Sequence, residues 1–581
     1  MKKFIIKSAL AVLILSLFAI QQTTAQVEIL PFSSYHVLPL NRILYPRLGA
    51  PAFLTPGDIF EIYLKYVPEE AGPNPEEVMW NAKISSIFVE QEFPLEILNK
   101  EYVPEKEMWI LTVRSPISVP TSLYNLTVYA GELSYTEPNS VYIDERGFNR
   151  PLNVAVFTDS HIGFRKYSQR INTYVTEAVL RAMNSLEEIE IILHSGDLVD
   201  GALDESTWQY VYNLLAKLRK PIILTQGNAD HFVIEKGFYW WEKYLCPLYK
   251  GIDIGSYHIV SMDSDTGRVS DEQLDWIERD LELHRESLMK ILVLHHPYWD
   301  PNEVSPNVIE RLPSMLVNYG VSLVLMGHRH IDEIRTPPEV PTLSITTTST
   351  AATNQYRGFR VITLNLSEIS YTEMSIPWTT VNVTYLQIND GSSSGMAIKV
   401  QNGLEEPKNF VLPILLKPMN VSLTVENAEV LIDNLTPKAR AIEVKAVLNP
   451  GETKIIKVYE EEDLTPPEIQ LSVEIENRTV KVSFNATDIG LGVLDKRLYI
   501  SPDNETWTEI KPIYEDFVPK WIFTIEEDVV YLKAVASDAS GLESMEFRSI
   551  VLVPSPPTPT PTPTPSPSPT PTPTPSLTPT P

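Results

Sequence analysis

Val156-Phe157-Thr158-Asp159-Ser160-His161 carries two side chains that can bind metal, directly after a short apolar run. The run Leu152–Phe157 has the length and composition of one buried strand. Asp159 and His161 follow it, where the strand would give way to a loop. Ligands converge at strand ends in α/β layers. The stretch therefore predicts an α/β domain with a polar site at one sheet edge.

Four further motifs repeat this arrangement of an apolar run followed by polar side chains. They are Gly196-Asp197, Gly227-Asn228, His295-His296-Pro297 and Gly327-His328-Arg329-His330. Each motif alone is weak, because Gly-Asp is common in turns and a lone His-His-Pro is more often a loop histidine. Five such motifs in order, each after an apolar run, indicate one composite site built from several strand ends.

Residues 150–375 alternate strand-like and helical segments, which indicates an α/β layered domain. Strand-like runs lie at Leu152–Phe157, Ile189–Leu193, Ile222–Thr225, Ile291–Leu294 and Leu323–Met326. Helical periodicity covers Tyr174–Leu186, Trp208–Leu218 and Leu274–Leu288. Ser270 and Gln273 are spaced as a capping box for the last helix, and its apolar stripe runs from Leu274 to Leu288.

The residue types of the five motifs favour divalent metals. Carboxylate, amide oxygen and imidazole suit zinc, manganese, iron or similar ions, and the lack of thiolate argues against a structural zinc site. The single cysteine, Cys246, also excludes an intrachain disulfide. Seven ligand side chains suffice for two metals only if one is shared, and Asp197 is the natural bridge. Two such ions can lower the pKa of a bridging water and hold a phosphate.

The motifs and their flanks, including 194–200 and 270–276, resemble the calcineurin-like metallophosphoesterase family over roughly residues 150–375. The resemblance implies a four-layer α/β/β/α sandwich with the metals at one edge of the paired sheets. It also implies that a metal-bridged hydroxide attacks phosphorus in line while the metals stabilise the developing oxyanion.

The resemblance implies a role for each ligand. One metal would be bound by Asp159, His161 and His330, the other by Asn228, His295 and His328, with Asp197 as the bridge. The family usually has a histidine at the position of Ala229, where it contacts phosphate and helps to protonate the leaving oxygen. We assign Asp197, Asp230 and His231 as candidate catalytic residues. A surface or packing role for His231 stays open.

A second departure concerns the purple acid phosphatases, which have a tyrosine ligand three residues after the bridging aspartate. Asp200 stands there in this chain, so no iron–tyrosinate site is expected. Three other features have two interpretations each. Arg329 could contact phosphate or point away, the 238–241 aromatic run could stack a nucleobase or pack a helix, and Tyr298 could wall the pocket or pack the core.

The flanking segments predict a multidomain chain with all-β units on both sides of the α/β domain. We place an N-terminal β-rich domain at 26–148, a β-sandwich-like domain at 376–465 and an Ig-like β-sandwich at 466–553. Two turn sequences, at 486–493 and 536–542, are the basis of the Ig-like assignment.

The two ends of the chain predict export. Residues 1–25 have the basic start, short apolar run and small residues of a signal peptide, with an uncleaved anchor as the alternative. Residues 554–581 are Thr-Pro and Ser-Pro repeats, which predict a disordered, extended polyproline II tail. A spacer or stalk that attaches the protein to the cell envelope is the favoured role, and a ligand for a Pro-binding domain the weaker one.

The chain of 581 residues carries a net charge of -28, which disfavours a nucleic-acid polymer as partner. The leading hypothesis is a secreted or cell-surface dinuclear-metal phosphoesterase that acts on a small phosphate ester, with phosphodiesters or activated monoesters favoured. The alternative is a surface binding or structural protein that uses the same domain as a scaffold. The oligomeric state cannot be read from the sequence.

Overall fold

The computed structural model describes residues 30–65, 78–201, 204–231, 237–337, 340–351, 356–515 and 518–551. The signal peptide expected at 1–25 and the tail expected at 554–581 lie outside these ranges. Within them, no helix is both long enough and apolar enough to cross a membrane.

The first unit is built from two antiparallel-rich sheets around an apolar core. Its strands are β1 Ile43–Tyr45, β2 Ala52–Leu54, β3 Ile59–Lys65, β4 Trp80–Ser85, β5 Phe93–Pro94, β6 Glu96–Val103, β7 Met108–Arg114, β8 Ser122–Ala130 and β9 Leu133–Ile143. One sheet has the order β1-β3-β7-β6 and the other β2-β9-β8-β4-β5. A short 3-10 helix, Pro104–Lys106, joins β6 to β7. The expected β-rich N-terminal region is therefore present.

The second unit alternates strands and helices. Its helices are α1 Tyr167–Ser185, α2 Glu205–Leu215, α3 Asn228–His231, α4 Gly237–Tyr244, α5 Asp271–Leu283 and α6 Pro306–Asn318. Its strands are β10 Leu152–Phe157, β11 Ile191–Ser195, β12 Ile222–Thr225, β13 Lys250–Ile254, β14 Tyr257–Ser261, β15 Met289–Val293, β16 Val321–Met326, β17 Glu333–Arg335, β18 Leu343–Thr346, β19 Gly358–Asn365, β20 Glu368–Tyr371 and β21 Ile376–Pro377.

Two mixed sheets form the centre of this unit. The first has the order β12-β11-β10-β19-β20, with β21 paired to β19, and the second the order β13-β14-β15-β16-β18-β17. Strands β10, β11 and β12 are parallel, as are β14, β15, β16 and β18. Val154 and Ile192 of the first sheet share one core with Ile259 and Ile291 of the second, so the sheets pack face to face. Helices α5 and α6 contribute to a separate core with the other face of the second sheet.

Helix α5 corrects two expectations. It ends at Leu283, and Leu288 lies beyond it and is largely exposed, so the predicted stripe is too long by that residue. Ser270 does accept a hydrogen bond from the Gln273 amide, as a cap should. The Gln273 side chain, however, bonds both backbone groups of Asp263, so the predicted capping box is only half formed. The Gln273 side chain is used in this tertiary contact instead of in the capping box.

The third unit is a pair of antiparallel sheets. Its strands are β22 Val381–Tyr385, β23 Gly395–Asn402, β24 Lys408–Leu416, β25 Thr424–Glu426, β26 Glu429–Leu435, β27 Arg440–Leu448 and β28 Thr453–Tyr459. The sheets have the orders β22-β23-β28-β25 and β24-β27-β26. Its apolar side chains, such as Ile398 and Phe410, belong to the same continuous core as Val179 and Met183 of α1. The unit is thus fused to the α/β domain.

The fourth unit has two four-stranded antiparallel sheets with a core of its own. Its strands are β29 Glu468–Glu476, β30 Thr479–Thr487, β31 Val493–Ser501, β32 Thr508–Ile510, β33 Ile513–Glu515, β34 Val518–Thr524, β35 Val529–Asp538 and β36 Glu543–Val551. The sheet orders are β29-β30-β34-β33 and β32-β31-β35-β36. An all-β unit on this side of the α/β domain agrees with the sequence.

Candidate metal centre

All five motifs lie at the carboxyl ends of parallel strands. Asp159 follows β10, Asp197 follows β11, Asn228 follows β12, His295 follows β15, and the His328–His330 loop follows β16. Since the first three strands belong to one sheet and the last two to the other, the site lies across the edge of the sheet pair. This is the edge at which ligands collect in α/β layers.

The ligand loops use unusual backbone geometry. Five of the seven predicted ligands have positive φ, between 46° and 69°: Asp159, His161, Asp197, His328 and His330. Such conformations are uncommon outside glycine and cluster where a side chain must be aimed. Gly196 adds to this, because a Cβ there would lie 2.3 Å from Nδ1 of His295. The backbone is therefore shaped around the ligands.

The predicted ligands form two groups. In the first, Asp159, His161 and His330 bring their ligand atoms within 4.8 Å of one another. The distance from His330 Nε2 to Asp159 Oδ1 is 3.2 Å, and from His161 Nε2 to His330 Nε2 also 3.2 Å. These are the three residues predicted for one metal.

The second group is Asp197, His295 and His328, again within 4.8 Å. Oδ2 of Asp197 lies 3.2 Å from Nε2 of His295 and 3.5 Å from Nε2 of His161. Asp197 therefore contacts a ligand of each group, which is the position that a bridging carboxylate needs. Its other oxygen, Oδ1, accepts a hydrogen bond of 2.6 Å from the Ala229 amide.

Two buried atoms beside Asp197 make no hydrogen bond within the described structure. Oδ1 of Asn228 and Nε2 of His295 are buried and make no hydrogen bond. The other ring nitrogen of His295, Nδ1, lies 2.9 Å from the Ser195 carbonyl, which fixes the tautomer that leaves a lone pair on Nε2. An unbonded amide oxygen and an unbonded imidazole nitrogen beside a carboxylate fit a divalent metal.

The charges at the site also favour a cation. Burial disfavours protonation of His295, but the Asp197 and Asp159 carboxylates outweigh it and raise its pKa to about 10. Burial likewise opposes ionisation of Asp159, yet His295 and His330 hold its pKa well below the usual range. The two carboxylates therefore create a negative potential at the site. A bound divalent ion would neutralise it in place of protons.

Asp200 supports the first group, a role that the sequence reasoning missed. Its Oδ1 lies 3.8 Å from Nδ1 of His161, and its Oδ2 accepts a hydrogen bond of 2.6 Å from Gln169. The contact with His161 lowers the pKa of Asp200 to about 2. A carboxylate behind a ligand histidine orients the ring and raises its basicity. The sequence signal for this role is the Asp-Leu-Val-Asp spacing of 197–200, which places a second carboxylate three residues after the bridging aspartate.

Asp230 is placed behind the ligands. It accepts hydrogen bonds from the amides of Gly227, Leu198 and Val199, which joins the loop after β12 to the loop after β11. Burial, and then the Asp197 charge, raise its pKa to about 7. The geometry gives Asp230 a positioning task for both loops, and its catalytic role stays a prediction.

His231 is held by two carboxylates. Its Nε2 lies 3.2 Å from Asp263 and its Nδ1 lies 3.5 Å from Asp265. Burial lowers the pKa of His231, but these two aspartates outweigh it and raise the value to about 9. The ring is thus protonated at neutral pH and already bonded on both sides. Its catalytic role also stays a prediction.

The structure gives partners to a residue of each of the three features with double interpretations. Arg329 turns away from the ligands and pairs with Asp300 at 2.6 Å. In the aromatic run, Trp241 is fully buried and packs edge-on against Trp208. Tyr298 is buried in the core under α5 and α6. His194 at the end of β11 is also buried, with its Nε2 3.3 Å from Ser160 Oγ.

Residues 152–332 match the sequence model of the calcineurin-like phosphoesterases. This part of the chain is a calcineurin-like phosphoesterase domain. The protein is therefore a metal-dependent phosphoester hydrolase, and the family to which its domain belongs works with two divalent ions. The ligand groups around Asp197 supply a place for both.

Two curated relatives of the phosphoesterase domain are similar over 31% of this chain. A protein of Fibrobacter succinogenes named as a probable cyclic nucleotide phosphodiesterase is 27% identical over 73% of its own length. The 3',5'-cyclic adenosine monophosphate phosphodiesterase CpdA of Escherichia coli K12 is 28% identical over 70% of its length.

Solved structures similar to this chain include phosphatases. The purple acid phosphatase PPD1 of yellow lupin is 14% identical, with a TM-score of 0.37, over 62% of this chain and 72% of its own. A dimetal phosphatase of Danio rerio is 13% identical, with a TM-score of 0.30, over 43% of this chain and 95% of its own.

Proposed function

We propose that the protein hydrolyses phosphodiesters, or monoesters with acidic leaving groups, at a dinuclear centre, and that it does so outside the cell or at its surface. The observation that carries the substrate preference is the site around Asp197, which gathers six of the seven predicted ligands and has Ala229 beside the predicted bridge. A cyclic nucleotide is the first diester to test, because the two curated relatives are named for that activity.

The seven ligand residues would hold the ions as the family pattern implies, with Asp159, His161 and His330 on one side of Asp197 and Asn228, His295 and His328 on the other. When bound, two divalent ions would polarise a phosphoryl oxygen and lower the pKa of water between them. The ring of His295 is held for this by the Ser195 carbonyl.

Proton supply to the leaving oxygen is the weak point of the site. Ala229 has no proton to give, and its methyl group is buried. His231 carries a proton at neutral pH, but Asp263 and Asp265 hold both of its ring nitrogens. General acid help is typically worth about 10²–10⁴-fold. Esters whose leaving groups are poor should therefore suffer most, while acidic leaving groups depend mainly on the metal centre.

A series of aryl and alkyl phosphate esters tests this preference. We expect the rate to fall steeply as the leaving-group pKa rises, and we expect Ala229→His to flatten the slope. His231→Ala serves as the matched variant and should leave the slope unchanged. A shallow slope in the wild type that steepens in His231→Ala would make His231 the acid and defeat the proposal.

Location at the cell surface rests on the two chain ends, with residues 1–25 as export signal and 554–581 as stalk. The four-layer order of the phosphoesterase domain and an Ig-like relationship of the last unit are part of the same proposal. Two four-stranded antiparallel sheets support the Ig-like assignment. Sequencing the N-terminus of the native protein and locating it by cell fractionation would test export. An intact Met1 and a cytoplasmic location would overturn it.

A further inference from the structure

Three carboxylates meet where the third unit joins the fourth. Asp488 follows β30 and Asp538 ends β35, so the two turn sequences that suggested an Ig-like unit each contribute one aspartate. Asp463 comes from the connection between β28 and β29. Each of the three offers a carboxylate oxygen within 4.8 Å of the others.

Backbone amides fix the orientation of these carboxylates. Oδ2 of Asp488 accepts from Gly490 at 3.1 Å and Gly492 at 2.6 Å, while Oδ1 of Asp538 accepts from the Leu542 amide at 2.9 Å. The Asp463 carboxylate lies against the next turn, because a Cβ on Gly490 would be 2.0 Å from its Cγ. The turns are thus shaped to bring the three acids together.

The remaining carboxylate oxygen of each of the two turn aspartates accepts no hydrogen bond. Oδ1 of Asp488 and Oδ2 of Asp538 are buried without a hydrogen-bond donor, and Asp538 is only 1% exposed. In the described part of the chain, no lysine, arginine or histidine pairs with Asp463, Asp488 or Asp538. Burying a carboxylate oxygen without a partner is costly, and three like charges at this distance add repulsion.

We propose that Asp463, Asp488 and Asp538 bind one divalent cation of the calcium type at the junction of the third and fourth units. Carboxylate oxygens alone, without imidazole or thiolate, are the ligands of hard cations. Calcium is favoured over magnesium because it tolerates irregular coordination, whereas magnesium demands a near-ideal octahedron. We expect a dissociation constant on the order of 0.1–1 mM, the range of extracellular modules.

The cation would fix how the last unit is mounted. A small separate apolar cluster lies at this junction, in which Leu386, Ile455 and Tyr459 pack against Ala397, Leu491 and Ala539. Gln387 of the third unit reaches across it, and its Nε2 donates to the carbonyls of Asp488 and Gly490. Since Asp463 lies in the connection and the other two acids lie in the fourth unit, a shared ion would tie the connection to the unit that it carries.

Equilibrium dialysis of the full chain against ⁴⁵Ca²⁺ tests the site. We expect the wild type to bind one more Ca²⁺ than Asp538→Asn or Asp488→Asn. Asp197→Asn should retain that ion, which separates it from any calcium held at the phosphoesterase centre. The matched control is Asp528→Asn, since Asp528 is an 82% exposed acid of the same unit and its loss removes the same charge. This variant should bind calcium as the wild type does.

A second measurement does not depend on the variants folding. Glutamyl endopeptidase should cut the wild type at Glu461 and Glu462 in the exposed connection, and Ca²⁺ should slow this cleavage at least several-fold. If the wild type binds no calcium at about 10 mM, well above the expected dissociation constant, the proposal fails. It fails equally if all of the bound calcium disappears in Asp197→Asn.

Discussion

Two clusters of the phosphoesterase domain, the metal centre around Asp197 and the group of Asp253, His258 and His284, differ in what their side chains already contact. In the Asp197 cluster, Oδ1 of Asn228 makes no hydrogen bond, and Nε2 of His295 lies 3.2 Å from the Asp197 carboxylate. In the second, His258 has a carboxylate on each side, with Asp253 at 2.8 Å and Asp280 at 2.7 Å. His284 stacks on His258 at 3.7 Å and lies 3.4 Å from Asp253.

Both clusters contain ligand atoms within 4.8 Å, so distance alone does not separate them. The difference is that both ring nitrogens of His258 are hydrogen-bonded to carboxylates, whereas the first cluster also contains an amide oxygen, Oδ1 of Asn228, that makes no hydrogen bond. Burial lowers the pKa of His258, but Asp253 and Asp280 outweigh it and raise the value to about 9. The comparison teaches that unmet ligand atoms, rather than proximity, mark a metal centre.

The largest expected effect is that of Asp197→Asn on turnover. An amide keeps the shape of the side chain but removes the negative charge between the two groups. If the bridge supports several kcal/mol of transition-state stabilisation, hydrolysis should fall by roughly 10³-fold or more. Steady-state rates at saturating metal provide the measurement, with circular dichroism as a check on folding. Turnover near the wild-type rate would place the chemistry elsewhere.

Metal content would separate the two clusters directly. Elemental analysis of protein reconstituted with Mn²⁺ and passed through a desalting column should give two ions per chain. The double variant His258→Gln, His284→Gln should keep both ions. In the wild type these two imidazole rings are already paired with carboxylates and do not bind metal. A stoichiometry near one with full activity would remove the dinuclear mechanism. Loss of an ion in the double variant would show that the second cluster binds metal.

A smaller effect is expected at Asp200. Because this carboxylate orients His161, Asp200→Asn should weaken metal affinity or activity by about 10–100-fold, the usual cost of losing an outer partner of a ligand histidine. The surface variant Asp275→Asn is the control, since Asp275 is an exposed acid of α5 whose carboxylate pairs with Arg311 of α6. Metal titration of activity measures the change. Asp200→Asn with unaltered metal dependence would mean that the 3.8 Å contact does no orienting.

The second cluster should contribute to the stability of the fold and have no effect on activity. The folded pKa of His258, about 9, lies above its ordinary value of 6.5. Its protonated form therefore stabilises the fold fully below pH 6.5, and this contribution, on the order of 3 kcal/mol, is lost as pH rises towards 9. Urea unfolding across this range should show the loss, and His258→Gln should reduce the pH dependence by about this amount while activity stays within about twofold. A pH-independent stability of the wild type would contradict this assignment.

Much of the site followed from sequence because strand ends and ligand types are local properties. Leu152–Phe157 and Ile222–Thr225 are strands with the predicted bounds. Asp159, His161 and His330 meet as predicted, and so do Asp197, His295 and His328. These positions depend on apolar runs and on the residue that follows each one.

The rest depended on contacts between distant segments. Asp200 touches His161 only because the loops after β10 and β11 lie side by side, with Asp200 donating its amide to the Ile162 carbonyl. The Gln273 side chain accepts a hydrogen bond from Asp263, ten residues earlier, and does not complete the capping box. No local pattern records such partners.

The shared core of the second and third units has a consequence for anyone who shortens the gene. The sequence composition changes at residue 375, but the hydrophobic core continues across this position. Ile398, Phe410 and Ile414 are fully buried in the core that contains Val179 and Met183. A protein truncated at that boundary would expose a large apolar surface and should aggregate. The smallest soluble enzyme would therefore have to include the third unit.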